Sequence, residues 1–120
     1  MTNYSEMTNE QLDRLVAEKV MGFMLNEDGT IQLSLPIITD DDGDFVYVYW
    51  RPTTNIAQAF EVVDKMIADG WLISMIYTIS GTWLAIVGTF DIVKEATDKS
   101  LPRAICIAAL MAKESEDKDD

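Results

Sequence analysis

The chain carries 21 aspartates and glutamates against nine lysines and arginines, no histidine and a single cysteine. That inventory decides which chemistry is open to it. Nucleophile systems built on imidazole, Ser-His-Asp or Cys-His, are excluded within one chain. Zinc sites of the cysteine and histidine type lack their ligands, and Cys106 alone forms no intramolecular disulfide. Cys106 lies between Ile105 and Ile107 in an alanine-rich run, the setting of a buried, inert thiol. Glu18 and Glu61 are candidate general acids, but nothing in their spacing converges on a pocket, and solvated helix faces account for both. The glycines at 22, 29, 43, 70, 81 and 88 are isolated stops and turns, so no phosphate-cradling loop is present. These features predict a chain that is not an enzyme and holds no cofactor.

Two constellations remain for binding. The first is the acidic run Asp40, Asp41, Asp42 and Asp44, followed by Tyr47, Tyr49 and Trp50. Asp40, Asp42 and Asp44 alternate as in a calcium loop, but the glycine falls at the fourth place and no glutamate stands at the twelfth. No metal is expected there. The run reads as a solvated hairpin tip, with Asp42-Gly43 as its turn. On the returning strand Tyr47 and Tyr49 share one face and Trp50 takes the other. An exposed aromatic face beside an acidic tip suits a protein interface, so these seven residues are the expected partner contacts. The second constellation is Arg51 with Arg103, each at the approach to a helix, where anions are favoured. It is the alternative: a site that sequesters a small nucleotide messenger.

The elements that position these residues follow from periodicity and caps. Thr8 and Gln11 form a capping box ahead of a helix to about Met21, stopped by Gly22. Its core face is Leu12, Leu15, Val16 and Val20, with Glu10, Asp13, Arg14, Glu18 and Lys19 mostly towards water. Ile31 to Thr39 and Phe45 to Trp50 form a first hairpin whose Pro36 marks an edge strand. An open edge favours strand addition or a homodimer. Asn55 with Gln58, or equally Thr54, caps a second helix with Ile56, Ala59, Phe60, Val63 and Ile67 towards the core, ended by Asp69-Gly70. Trp71 to Ile79 and Thr82 to Val87 form a second hairpin, apolar enough for both faces to be covered, and Ile92 to Thr97 is either a last strand or an extension of the previous one. Ser100 and Pro102 then open a closing helix striped with Leu101, Ile105, Ala108 and Ala112 and widened by Ala104, Ile107 and Met111. The result is an α/β (α+β) domain with three helices and a mainly antiparallel sheet of four to five strands.

A length of 120 residues with 48% apolar content suits one domain, residues 1–113, with an acidic disordered tail at 114–120. The longest apolar run, 71–79, is strand-sized, and the N-terminus has no basic region ahead of an apolar block. A cytoplasmic location follows as an expectation. The net charge of −12 repels nucleic acid and anionic membranes and favours a protein partner with a basic surface.

Three blocks carry a resemblance: VAEKVMGF at 16–23, TTNIAQAFEVVDKMIADGW at 53–71 and EATDKSLPRAICIAAL at 95–110. Together they resemble the small bacteriophage proteins of the phage ABA-sandwich family, with the hairpin Ile31–Trp50 as the divergent part. The last block is the most specific, because Pro102, Ala104, Ile105, Cys106, Ala108, Ala109 and Leu110 recur in order. Phe23 and Phe60 stand where the family often has tryptophan, and Ile107 where it often has arginine. The resemblance implies a three-layer α/β/α sandwich and a phage or prophage origin, which makes the expected cytoplasm that of the host cell. It assigns no catalytic or binding residue. With the charge, it leads to the expectation of an anti-defence inhibitor, anti-CRISPR-like, that blocks the basic groove of a host protein.

Overall fold

The computed structural model describes residues 2–31, 41–42 and 48–117. Helix α1, Asn9–Val16, opens on the expected box: the Thr8 hydroxyl accepts from the Gln11 N–H at 3.2 Å, and Gln11 Oε1 accepts from the Thr8 N–H at 2.9 Å. It widens into a π turn over Ala17–Met21 and stops at Gly22, whose φ of 75° is the left-handed conformation that a side chain would strain.

Helix α2, Ile56–Ala68, starts at Asn55, whose side chain accepts from the Gln58 N–H at 3.1 Å. Its end is a chain reversal in which Gly70 donates to Ile67 and Trp71 donates to Met66, both at 3.0 Å. Trp71 and Met66 are buried together at that turn. The reversal selects which stripe of α2 faces inward. Ala59, Val62, Val63 and Met66 are buried, whereas Ile56, Phe60 and Ile67, expected in the core, are exposed. The sequence offers two apolar stripes, and anchoring Met66 beneath Trp71 turns the helix to the alanine and valine stripe.

The strands are β1, Leu72–Tyr77, β2, Trp83–Gly88, and β3, Val93–Asp98, in an antiparallel sheet of order β1-β2-β3. The first turn closes through Thr78 N–H to Thr82 O at 2.8 Å with Gly81 at φ 86°. Only the root of the earlier hairpin is described. Ile31 donates to Val48 and Trp50 donates to Gly29, at 2.8 and 3.0 Å. Residues 32–39 of the strand predicted at 31–39 and residues 45–47 of the return predicted at 45–50 lie outside the described residues. Among the described residues the sheet therefore has three strands, not four or five.

Helix α3, Leu101–Asp117, lies on β2 and β3 and is touched on its other sides by α1 and α2. Residues 104–110 and Ala112 are all buried, so the helix has no solvent face over those two turns. The small side chains of Ala85 and Ala96, paired across β2 and β3, let it come close to the strands. It runs past the expected limit at 113: residues 114–117 are helical, and Glu114 accepts from the Thr2 N–H and hydroxyl at 3.3 and 3.0 Å. Residues 118–120 lie outside the described residues. The expectation of covered strands on both sides also changes. Among the described residues the helices contact the sheet from the face of Ala85, Val87 and Ala96, while Leu72, Ile76 and Val93 on the opposite face are exposed.

The choice of stripe in α2 is testable with neighbouring residues. Met66→Ala is expected to lower stability by about 2–5 kcal/mol through an unfilled core site, and Ile67→Ala by less than about 1 kcal/mol. Urea unfolding of both variants measures the difference; equal losses would contradict the stripe.

Candidate functional site

Gln58, on the first turn of α2, clasps the chain that enters it. Its Oε1 accepts from the Arg51 N–H and its Nε2 donates to the Tyr49 carbonyl, both at 2.6 Å, as a neighbouring strand would. This holds Tyr49, Trp50 and Arg51 in extended alternation. Tyr49 faces solvent at 47% exposure, with the Arg51 guanidinium 4.8 Å above its ring centre. Trp50 points inward, is 1% exposed, and meets the Phe23 ring edge-on at 5.1 Å. Trp50 is thus a core anchor and not the partner contact expected for it. Of the acidic tip, Asp41 and Asp42 are exposed in a turn. Asp40, Asp44 and Tyr47 lie outside the described residues.

Asp13, expected on the solvent side of α1, is buried and accepts from the Thr53 N–H at 3.0 Å, forty residues away. Burial raises its pKa above the ordinary carboxylate value, opposed by the Thr53 bond and by the charges of Arg51 and Arg103. The signal was present in the sequence, because Asp13 stands three, four and seven residues before Val16, Ala17 and Val20, all buried.

Arg103 completes this corner. Its Nε donates to Asp98 Oδ2 at 3.2 Å, its Nη2 to the carbonyls of Met7 and Ser5 at 2.7 and 3.1 Å, and its Nη1 to Asn9 Oδ1. A guanidinium committed to four protein acceptors is spent on fastening the N-terminal segment to α3. The pairing of Arg103 with Arg51 as an anion site is therefore corrected: Arg103 is structural. Cys106 is fully buried, and burial, then the Asp13 charge, push its thiol far above the ordinary range. It is not a nucleophile.

A cleft of about 350 Å³ opens beside Asp13, lined by Asn9, Arg14, Asp28, Trp50, Arg51 and others. Its polar groups mostly hold the loop around them. Arg14 Nη2 donates to the Asn26 and Glu27 carbonyls at 3.1 and 2.7 Å, and Asp28 accepts from the Thr30 hydroxyl and N–H. Those Thr30 bonds, the hydroxyl first, lower the Asp28 pKa. Among the described residues no group of three or more aspartate, glutamate or cysteine side chains is placed to hold a metal.

The model of the phage ABA sandwich domain matches residues 14–110, most of this chain. The chain belongs to that family. A similar solved structure is the 2.0 Å crystal structure of a phage protein from Bacillus cereus ATCC 14579. The two share 21% sequence identity over 92% of this chain and 96% of the other, with a TM-score of 0.66. At that identity the likeness speaks for the fold. No curated protein matches the chain.

The buried Asp13 of this phage ABA sandwich domain makes stability depend on pH in a set direction. A carboxyl whose folded pKa is raised favours the native state below its unfolded pKa, near 3.8, and loses that contribution as pH rises through the folded pKa. Asp13→Asn keeps an acceptor for Thr53 without the charge. The melting temperature of the variant minus that of the native chain is expected to increase from pH 3 to pH 7. A flat difference would mean that Asp13 is not shifted.

Proposed function

We propose that this phage ABA sandwich domain is a non-enzymatic interaction protein of the anti-defence type, which inhibits a host protein by occupying its basic surface. The observation that carries this reading is the partition of charge. Four of the cations, Arg14, Lys65, Arg103 and Lys113, are bonded to acceptors within the fold. Glu6, Glu10, Glu18, Glu61 and Asp64 stand exposed, as do Asp41 and Asp42 at the tip. An exterior dominated by carboxylates presents what a phosphate backbone presents, and a groove built for nucleic acid would accept it. The anti-CRISPR-like form of the reading draws on that equivalence. Membership of a phage family supports a host target. The buried Cys106 thiol supports action without nucleophilic catalysis.

The tethered full chain, exposed to host-cell extract, should retain a partner whose capture falls steeply between about 50 and 300 mM salt, as exposed charge pairs require. The double change Asp41→Lys, Asp42→Lys should weaken that capture at least tenfold. Retention unaffected by both salt and charge reversal would contradict the reading.

A further inference from the structure

The side of the sheet that no described element covers is a separate surface with different chemistry. The register places Leu72, Gly88 and Val93 in one row, Ser74, Ile86 and Glu95 in the next, and Ile76, Leu84 and Thr97 in a third. Alternation turns all three rows to the face away from α3, since Ala85, Val87 and Ala96 between them are buried beneath it. Leu72 is 76% exposed, Val93 61% and Ile76 48%, and half-buried Leu84 and Ile86 fill the middle. Ile79 and Phe90, fully exposed, cap the two hairpin turns at opposite ends of β2.

We propose that a second copy of this chain covers this face, joining two sheets across a twofold axis. The first argument is charge. On a chain of net charge −12, the three rows hold one ionised group, Glu95, and no lysine or arginine. A basic partner finds no carboxylate cluster here, whereas an identical low-charge face can approach with most of the negative charge held outside the contact. The second argument is shape and area. Sheets of the same twist pack aligned at about 10 Å, so an antiparallel face fits a copy of itself. Leu72, Ile76 and Val93 on the face, with Ile79 and Phe90 at the turns beside it, together expose roughly 600 Å² on each copy. The pair would then bury about 1,200 Å², the lower end of specific interfaces. The area on each copy is at the upper end of the largest apolar patch on a typical monomer, roughly 300–600 Å². One such face per chain closes the assembly at two.

This inference is independent of the acidic-surface reading and has the opposite salt response. Like-charged copies joined through an apolar face associate more tightly as salt rises, because screening removes their repulsion. Sedimentation of the full chain from about 1 to 200 μM, at 50 and 500 mM salt, should show a species of twice 13.5 kDa that gains population with salt. Leu72→Lys and Ile76→Lys, at exposed positions, should each weaken the dimer at least tenfold while circular dichroism and the urea midpoint stay near native. Leu72→Gln serves if a lysine variant fails to fold. The tip reversal Asp41→Lys, Asp42→Lys should leave the dimer in place. A chain that stays monomeric at 200 μM in both salts, or a dimer indifferent to the substitutions at 72 and 76, would overturn the proposal.

Discussion

Helix α3 must fit between a sheet and two other helices, and that demand sets the composition of the domain. A helix enclosed on all sides cannot carry long side chains all round without pushing its neighbours apart. Alanines at 104, 108, 109 and 112 resolve the conflict, with Ala85 and Ala96 answering from the strands. Enclosure also dictates what happens at its first turn. Arg103 sits where the helix enters the packed region, and its charge is stabilised by Asp98 and by acceptors of the N-terminal segment. Cys106 and Asp13 share that environment: the thiol stays protonated, and the carboxyl is held by a backbone N–H from the loop that precedes α2.

Placing every described helix on one side of the sheet has two functional consequences. Four cations of the helices, Arg14, Lys65, Arg103 and Lys113, fasten parts of the fold together. Asp69 gathers Lys65 from its own helix and Lys113 from α3, at 3.3 and 3.6 Å. Carboxylates are left to dominate the outer surface. The strands, meanwhile, present apolar side chains that no described helix shields. Among the described residues the domain thus offers two unlike faces, one governed by charge and one by hydrophobic area. No helix among the described residues is long and apolar enough to cross a membrane.

Features encoded within a few residues were legible in the sequence. The Thr8 box, the stop at Gly22, the reversal at Gly70, the turn at Gly81 and the closing helix all depend on short-range geometry. The three blocks at 16–23, 53–71 and 95–110 also pointed to the family whose model matches residues 14–110. What escaped depends on contacts across the chain. Two apolar stripes compete on α2, and the chain reversal that buries Trp71 with Met66 decides between Ile67 and Met66. Asp13 is polar by type, so residue type alone points it to solvent although it stands on the Val16, Ala17 and Val20 stripe. The near-continuous apolarity of β1 and β2 suggested cover on both sides, but it is equally what an uncovered docking face requires. Residues 114–117 carry three carboxylates yet are helical, because a long helix already held by packing extends at little further cost.

Amide hydrogen exchange tests the enclosure of α3 most directly. The amides of residues 105–110 should exchange only through global unfolding, making them the slowest class in the chain, with β2 next. The amides of β1, on one edge of the three-stranded sheet, should open locally and exchange faster. If the α3 amides exchanged through local opening, at rates comparable to those of β1, the helix would not be the enclosed centre of the fold.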